Sequence, residues 1–276
     1  MMTSQVSQVD GVAHETGHPH IPVQRPPRRG AMTGLAQLTR SEFRLMFREP
    51  SISFVVVLPI LLIMIFGLLP STGKPSADFG GGRFIDFYVP VVLTMIIAMM
   101  SLNLLAGVLG TYRERGVLRR LAATPVRPLT LMMAQGLVNF VLLTAVSAVL
   151  LGTAGFAFDV PMPRQMLGFL LAFVLCVSAM FSIGLLIAAV APNGRAANGI
   201  GTLVFFPLIF LAGMWTPGPM MPEVVRRISE FSPLGAGMQA MQRAWDGSFP
   251  LPLHLGVMLA FTLGVGFVAA RLFRWE

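Results

Sequence analysis

The stretch Met166–Val190, with the sequence MLGFLLAFVLCVSAMFSIGLLIAAV, decides the fold. It holds 25 residues and contains no Asp, Glu, Lys or Arg. A helix of about 20 apolar residues is long enough to cross the hydrocarbon core of a bilayer. We therefore predict that this stretch is a transmembrane helix.

Five more stretches of the same character lie on either side of it. The six predicted spans are residues 52–69, 87–110, 129–152, 166–190, 198–215 and 253–270, and none contains a charged residue. The pattern predicts an all-α integral membrane protein with six transmembrane helices.

Composition excludes most soluble classes of protein. Apolar residues make up 55% of the 276 residues and charged residues only 12%, whereas a soluble domain carries about 25% charged residues. An ordinary soluble enzyme does not fit, and the single Cys176 rules out an internally disulfide-stapled domain.

The net charge of +8 is placed between the apolar stretches, which favours a membrane protein over a nucleic-acid-binding one. With the N-terminus inside, fourteen basic residues face the cytoplasm and six face outward. The positive-inside rule then predicts cytoplasmic N- and C-termini. Only Lys74 is a lysine, and this arginine bias is typical of a GC-rich bacterial genome.

Residues 1–32 are polar, rich in Pro and His, and without an apolar run. This composition predicts a disordered cytosolic tail in front of a transmembrane domain at 33–276. His14, His18 and His20 lie in this tail, where no preformed cage exists, so we predict no metal site. Lys74 is followed by Pro75, so no Walker loop for ATP is present and we predict no cofactor in this chain.

The segment just before the first span predicts an amphipathic helix. Arg40, Arg44 and Arg48 recur every four residues and form a basic stripe opposite an apolar arc. Glu42 and Glu49 fall within that arc. The helix is either a plain anchor on the inner leaflet with solvated carboxylates, or its acids contact a protein partner.

The loop between spans two and three is too long for a simple connection. Val117, Leu118 and Leu121 form a small apolar face at helical spacing, and Pro125 ends the helix. An apolar face with a charged rim suits docking into a cleft of another protein. Ordinary positive-inside charge is the alternative explanation.

The segment after Trp215 predicts two short outer helices. Val224, Ile228 and Phe231 recur at helical spacing, and residues 234–245 form the second helix. Two half-buried helices at this place predict a cap over a pathway, with an interfacial loop anchored by tryptophan as the alternative.

Three motifs carry a family resemblance. They are FREP at Phe47–Pro50, ERGVLRRL at Glu114–Leu121 followed by Thr124-Pro125, and FPLIFLAGMWTP at Phe206–Pro217 running into Met221-Pro222. With these motifs the sequence resembles, over residues 35–273, the permease subunit of type-2 ATP-binding-cassette (ABC-2) exporters, close to the daunorubicin-resistance group. The long tail before residue 33 departs from the shorter N-termini of that group and leaves the role of the tail open.

The resemblance implies a six-span ABC-2 transmembrane domain with a connecting helix before span one and re-entrant outer helices between spans five and six. It implies two permease chains, identical or different, and two separate ATPase subunits that bind ATP and Mg²⁺. The implied connecting-helix residues are Arg40, Glu42, Arg44, Arg48 and Glu49. The implied coupling-helix residues are Glu114, Arg115, Gly116, Val117, Leu118, Arg119, Arg120 and Leu121.

The spans carry only mild polar groups, which suit a hydrophobic or amphipathic cargo such as a drug, antibiotic or lipid. The candidate pathway or gate residues are Asn103, Asn139, Phe205, Phe206 and Phe210. The alternative role is helix packing for the two asparagines and lipid-facing or core packing for the three phenylalanines. An ion-gradient-driven antiporter needs ionisable groups at membrane depth, which the spans lack. A lipid-modifying membrane enzyme needs clustered acids, histidines or a nucleophile. We therefore expect a transport subunit in the cell membrane that is not an enzyme, and keep those two classes as alternatives.

Overall fold

A computed structural model of the chain describes residues 50–70, 72–79, 81–116, 128–215 and 220–272. Within these ranges the chain is helical, and its extended contacts amount to one isolated antiparallel bridge between Pro75 and Arg83. The predicted all-α class is confirmed for this part of the chain.

Eight helices are formed by the described residues. They are α1 (Pro50–Leu68), α2 (Phe84–Glu114), α3 (Pro128–Phe158), α4 (Met166–Val190), α5 (Gly194–Leu211), α6 (Glu223–Glu230), α7 (Pro233–Trp245) and α8 (Pro252–Leu272), with a 3-10 turn at Ala77–Phe79. Five of them, α2, α3, α4, α5 and α8, are long and apolar enough to cross a membrane. The apolar part of α1 at Val57–Leu68 is shorter, so the count of six spans stays a prediction.

Helix α4 has the predicted bounds, whereas α5 does not. Helix α5 begins at Gly194 and ends at Leu211, whereas the predicted span was about 198–215. The side chain of Asn193 accepts a hydrogen bond from the backbone N–H of Ala196 and caps the start. Gly213, with φ of +88°, turns the chain away after the helix end.

Helix α2 is longer than the predicted range 87–110. It consists of α-helical Phe84–Met99, π-helical Met100–Leu105 and α-helical Ala106–Glu114. Glu114 is therefore the last residue of α2, and the predicted coupling segment 114–121 begins where this helix ends. Gly116, with φ of +65°, then turns the chain.

Helix α2 is the most buried of the five candidate spans. It packs against α1, α3, α4 and α5, and α4 packs in turn against α7 and α8. A Cβ atom added at Gly184 of α4 would overlap the carbonyl oxygen of Ser101, and one at Gly201 of α5 would overlap that of Leu102. Both carbonyls belong to the π-helical segment, so small residues let α4 and α5 approach the backbone of α2 closely.

The two short helices after α5 differ from the prediction of two half-buried elements. Helix α7 is almost wholly buried, with Leu234, Met241 and Trp245 in the core. Helix α6 leaves Val224, Ile228 and its neighbour Phe231 exposed. The reason is that α7 packs against α4 and α8, whereas the apolar residues of α6 face away from the bundle.

Candidate coupling site and translocation face

An arginine in the last turn of α2 ties that helix to the end of α4. Nη1 of Arg113 donates hydrogen bonds to the carbonyl oxygens of Ala189, at 3.1 Å, and Ala191, at 2.9 Å. The last carbonyl groups of a helix have no partner within the helix, so the guanidinium satisfies acceptors that α4 leaves open. A displacement of this end of α2 therefore acts on α4 directly.

A polar cleft of about 440 Å³ lies between the end of α2 and the start of α5, and we call it the α2–α5 cleft. Its lining residues are Thr111, Glu114, Arg115, Asn193, Gly194, Arg195 and Asn198. Glu114, Arg115 and Arg195 are exposed. The cleft therefore presents charges of both signs at one end of the bundle.

The floor of this cleft is a close contact between α2 and α5. A Cβ atom at Gly194 would overlap the hydroxyl of Thr111, and one at Gly110 would lie 3.0 Å from the carbonyl oxygen of Asn193. A Cβ at Gly107 would overlap the side chain of Asn198. These glycines hold the last turns of α2 against the first turns of α5.

Only part of the predicted coupling helix is described. Glu114 and Arg115 line the α2–α5 cleft, and Gly116 follows them at the turn after α2. Residues 117–121 lie outside the described residues, and so do the connecting-helix residues and the tail at 1–32. Arg113 and Arg195 were not among the predicted site residues. The placement of Arg113 depends on how far α2 continues beyond its apolar run, which hydropathy does not report.

One side of α5 forms an exposed stripe, the α5 face. It consists of Asn198, Thr202, Phe206 and Phe210, spaced four residues apart. Thr202 Oγ1 donates a hydrogen bond to Asn103 Oδ1 at 3.1 Å, which joins the polar half of the stripe to the π-helical segment of α2. The stripe is polar near the α2–α5 cleft and aromatic at its other end.

The candidate gate residues differ in their positions. Phe206 and Phe210 are exposed on the α5 face. Phe205 is half-buried against the core, with its ring centroid 5.6 Å from that of Phe206. Asn139 lies on α3, is fully buried, and donates from Nδ2 to the carbonyl oxygen of Gln135. The structure thus places the half-buried Asn103 beside the α5 face that carries Phe206 and Phe210, and does not bring Asn139 there.

The opposite end of α2 carries a second arginine contact. Arg83 forms two hydrogen bonds with Asp86, Nη2–Oδ1 at 2.7 Å and Nε–Oδ2 at 3.0 Å. It also donates to the carbonyl oxygens of Phe158 and Asp159 at the end of α3. The hydrogen bond with Asp86 raises the pKa of Arg83, against the lowering effect of partial burial.

Comparison with known proteins agrees with this architecture. A model of the ABC-2 type transporter family matches residues 33–244, which is most of the chain. The chain therefore belongs to the ABC-2 type transporter family and is a multi-pass membrane protein.

Two curated relatives are similar over a shorter region. They are the inner membrane transport permease YhhJ of Escherichia coli K12 and the protein of the same name from Shigella flexneri. Each is 32% identical over 138 residues, which is 48% of this chain. The aligned region covers 36% of the length of each relative.

Proposed function

We propose that the chain is the permease subunit of an ATP-driven exporter of a hydrophobic or amphipathic compound. Helix α1 is then the first of six spans, and two separate ATPase subunits act on a pair of permease chains. Membership of the ABC-2 family and the transport permease relatives support this proposal. The sequence has no phosphate-binding loop of its own, so ATP and Mg²⁺ belong to the ATPase.

The observation that carries the proposal is the continuity of α2. The helix runs from the α3 contact at Arg83 to the exposed Glu114, which is the first residue of the predicted coupling segment 114–121, the docking segment. A force on that segment acts on the last turn of α2. Arg113 then passes the displacement to α4, and the glycine contacts at Gly107 and Gly110 pass it to α5. The three helices move as rigid bodies.

The α5 face supplies the pathway in this proposal. In the single chain its residues are exposed, although they lie on a helix of membrane-spanning length. We infer that the face meets a second permease chain across the pathway. The Asn103–Thr202 pair provides mild hydrogen bonding, and Phe206 with Phe210 forms an apolar gate. Drugs, antibiotics and lipids share the chemistry that such a face accepts.

The proposed orientation puts the α2–α5 cleft and both termini in the cytoplasm of a bacterial cell. Because Cys176 is the single cysteine, a Cys176→Ser background allows single-cysteine labelling. With Leu118→Cys, an impermeant maleimide should label inverted membrane vesicles and not intact spheroplasts. Lys74 is exposed in the described structure. With Lys74→Cys, the maleimide should label intact spheroplasts and not inverted membrane vesicles. The opposite result for Leu118→Cys would contradict the orientation.

The docking segment is tested by reversing its charge. Arg119→Glu with Arg120→Glu should abolish co-purification of the partner ATPase and ATP-driven export, because the charged rim then repels its acceptor. Membrane insertion should be unchanged. The measurements are ATPase recovery on affinity-purified permease and substrate-stimulated ATP hydrolysis in proteoliposomes.

The matched control is Arg28→Glu with Arg29→Glu, an adjacent arginine pair in the tail with the same change of charge. It should retain the ATPase and the activity. Unchanged export by the Arg119/Arg120 variant would contradict the proposal. Export that survives ATP depletion and stops when the proton gradient collapses would establish the ion-gradient antiporter instead.

A further inference from the structure

A cavity of about 400 Å³ lies at the end of the bundle opposite the α2–α5 cleft, and we call it the α6–α8 cavity. It is open on one side and bounded by α6, α7, the first turn of α8, the end of α5 and the first turn of α2. The coupling and pathway contacts described above do not involve it. Its volume is in the range of small-molecule binding sites.

The walls of this cavity fall into an apolar part and a polar part. The apolar part consists of Phe87, Leu211, Met221, Met238 and Leu251. The polar part consists of Arg226, Glu230, Gln239, Gln242, Arg243 and His254. Two arginines face one glutamate, so the polar wall has an excess of positive charge.

Several polar atoms in this wall are buried and unpaired. His254 is only 2% exposed, and neither ring nitrogen has a hydrogen-bond partner among the described residues. The same holds for Oε1 of Gln242 and Nε of Arg243. Buried polar groups in folded proteins are almost always paired. Unpaired atoms from three neighbouring side chains in one cavity therefore indicate a ligand that pairs with them.

We propose that the α6–α8 cavity binds an amphipathic anion, a molecule with a phosphate or carboxylate head and a hydrocarbon body. Guanidinium groups bind phosphate and carboxylate oxygens in a matching planar geometry, and the imidazole and amide of His254 and Gln242 complete the polar site. The apolar wall holds the hydrocarbon. The ligand is either an anionic membrane lipid or a cargo molecule, since both share this chemistry. The site does not depend on the proposed ATP-driven function, because binding needs only this chain.

The sequence allows a site-specific readout. The chain has four histidines, so His14→Gln, His18→Gln and His20→Gln leave His254 alone. The full chain, labelled with ¹⁵N-histidine in phosphatidylcholine nanodiscs, is titrated with decyl phosphate and followed by the ring nitrogen signals. The expected result is a saturable shift of the His254 signals, with no such shift from uncharged decyl maltoside.

Charge variants test the polar wall. Arg226→Gln with Arg243→Gln should raise the half-saturating concentration of decyl phosphate by about tenfold or more, because hydrogen bonds to a charged group are lost. Arg227→Gln is the matched control, since Arg227 pairs with Glu223 and does not line the cavity. It should leave the half-saturating concentration unchanged.

The source of the ligand is read from a second titration. Phosphatidylglycerol mixed into the nanodisc bilayer should reproduce the shift if a membrane lipid is the ligand. A response to decyl phosphate alone would identify a cargo that arrives from solution, and both results support the site. The proposal is overturned if neither probe shifts His254, if decyl maltoside shifts it equally, or if the double arginine variant binds as tightly as the parent.

Discussion

The two ends of α2 are each held by an arginine, but the surroundings of the two arginines differ. Arg83 is paired with Asp86 and with two carbonyl groups at the end of α3, and about a quarter of its side chain is exposed. Arg113 is bonded to carbonyl groups at the end of α4 and lies next to the exposed Glu114 and Arg115.

The difference indicates different roles for the two ends. At Arg83 the charge is neutralised within the protein, so this contact fastens α2 to α3. At Arg113 the adjacent charges remain available to a partner at the α2–α5 cleft. We therefore interpret the Arg83 end as the fixed end of α2 and the Arg113 end as the end that is moved.

The largest expected loss of stability is between the two ends of α2, where α4 and α5 cross it closely. Gly184→Ala or Gly201→Ala puts a methyl group into a backbone carbonyl of α2, so each should lower the free energy of unfolding by about 1–3 kcal/mol. Thermal unfolding of the purified chain in nanodiscs measures the change.

Gly199→Ala is the control on the same helix as Gly201, because an added Cβ there meets nothing within 4 Å. It should change the free energy of unfolding by less than about 0.5 kcal/mol. Equal losses for Gly199→Ala and Gly201→Ala would show that the close approach of α5 to α2 does not matter for stability.

A smaller loss is expected at the fixed end. Arg83→Gln leaves Asp86 without its cation and removes the hydrogen bonds to α3, which should cost about 1–2 kcal/mol. The exposed ion pair of Arg227 with Glu223 provides the comparison, and Arg227→Gln should cost about 0–1 kcal/mol. Thermal unfolding of both variants measures the ranking. A larger loss for Arg227→Gln would contradict the fastening role of Arg83.

The smallest effect concerns Asp246, which directly follows α7. Burial raises its pKa, against the lowering effect of the hydrogen bond from Gln242 and of nearby arginines. Because the folded-state pKa lies above the unfolded value of about 3.9, ionisation of Asp246 disfavours the folded state as the pH rises through that interval. Asp246→Asn should therefore make the protein slightly more stable at neutral pH and flatten this pH dependence. A stability that depends less on pH in the parent than in Asp246→Asn would contradict the prediction.

How much of this could be predicted from the sequence varies between elements. The bounds of α4 followed from hydropathy alone, because its apolar run begins and ends abruptly. The bounds of α5 did not, since they depend on the cap at Asn193 and the turn at Gly213. The π-helical segment of α2 leaves no mark in the hydropathy pattern.

The candidate sites were predictable to a lesser degree. Phe205, Phe206 and Phe210 were named as gate candidates from their place in the fifth apolar stretch, and the structure exposes Phe206 and Phe210 on the α5 face and half-buries Phe205. Arg113 is bonded to Ala191, 78 residues further along the chain, and His254 lines a cavity together with Phe87 and Leu211, and only the folded chain brings these residues together. Hydrophobic periodicity reports which side of a helix is buried, and it does not report which neighbour covers that side.

The central claim, that ATP moves α4 through the Arg113 contact at the end of α2, is tested most directly by a distance measurement. In a Cys176→Ser background, Leu167→Cys places a spin label on a residue of α4 that is 70% exposed, and double electron–electron resonance reports the distance between two permease chains in the ATPase complex. We predict that ATP shifts this distance in the parent and in Arg83→Gln, and does not shift it in Arg113→Gln although the ATPase remains bound. An equal ATP-dependent shift in Arg113→Gln would contradict the account.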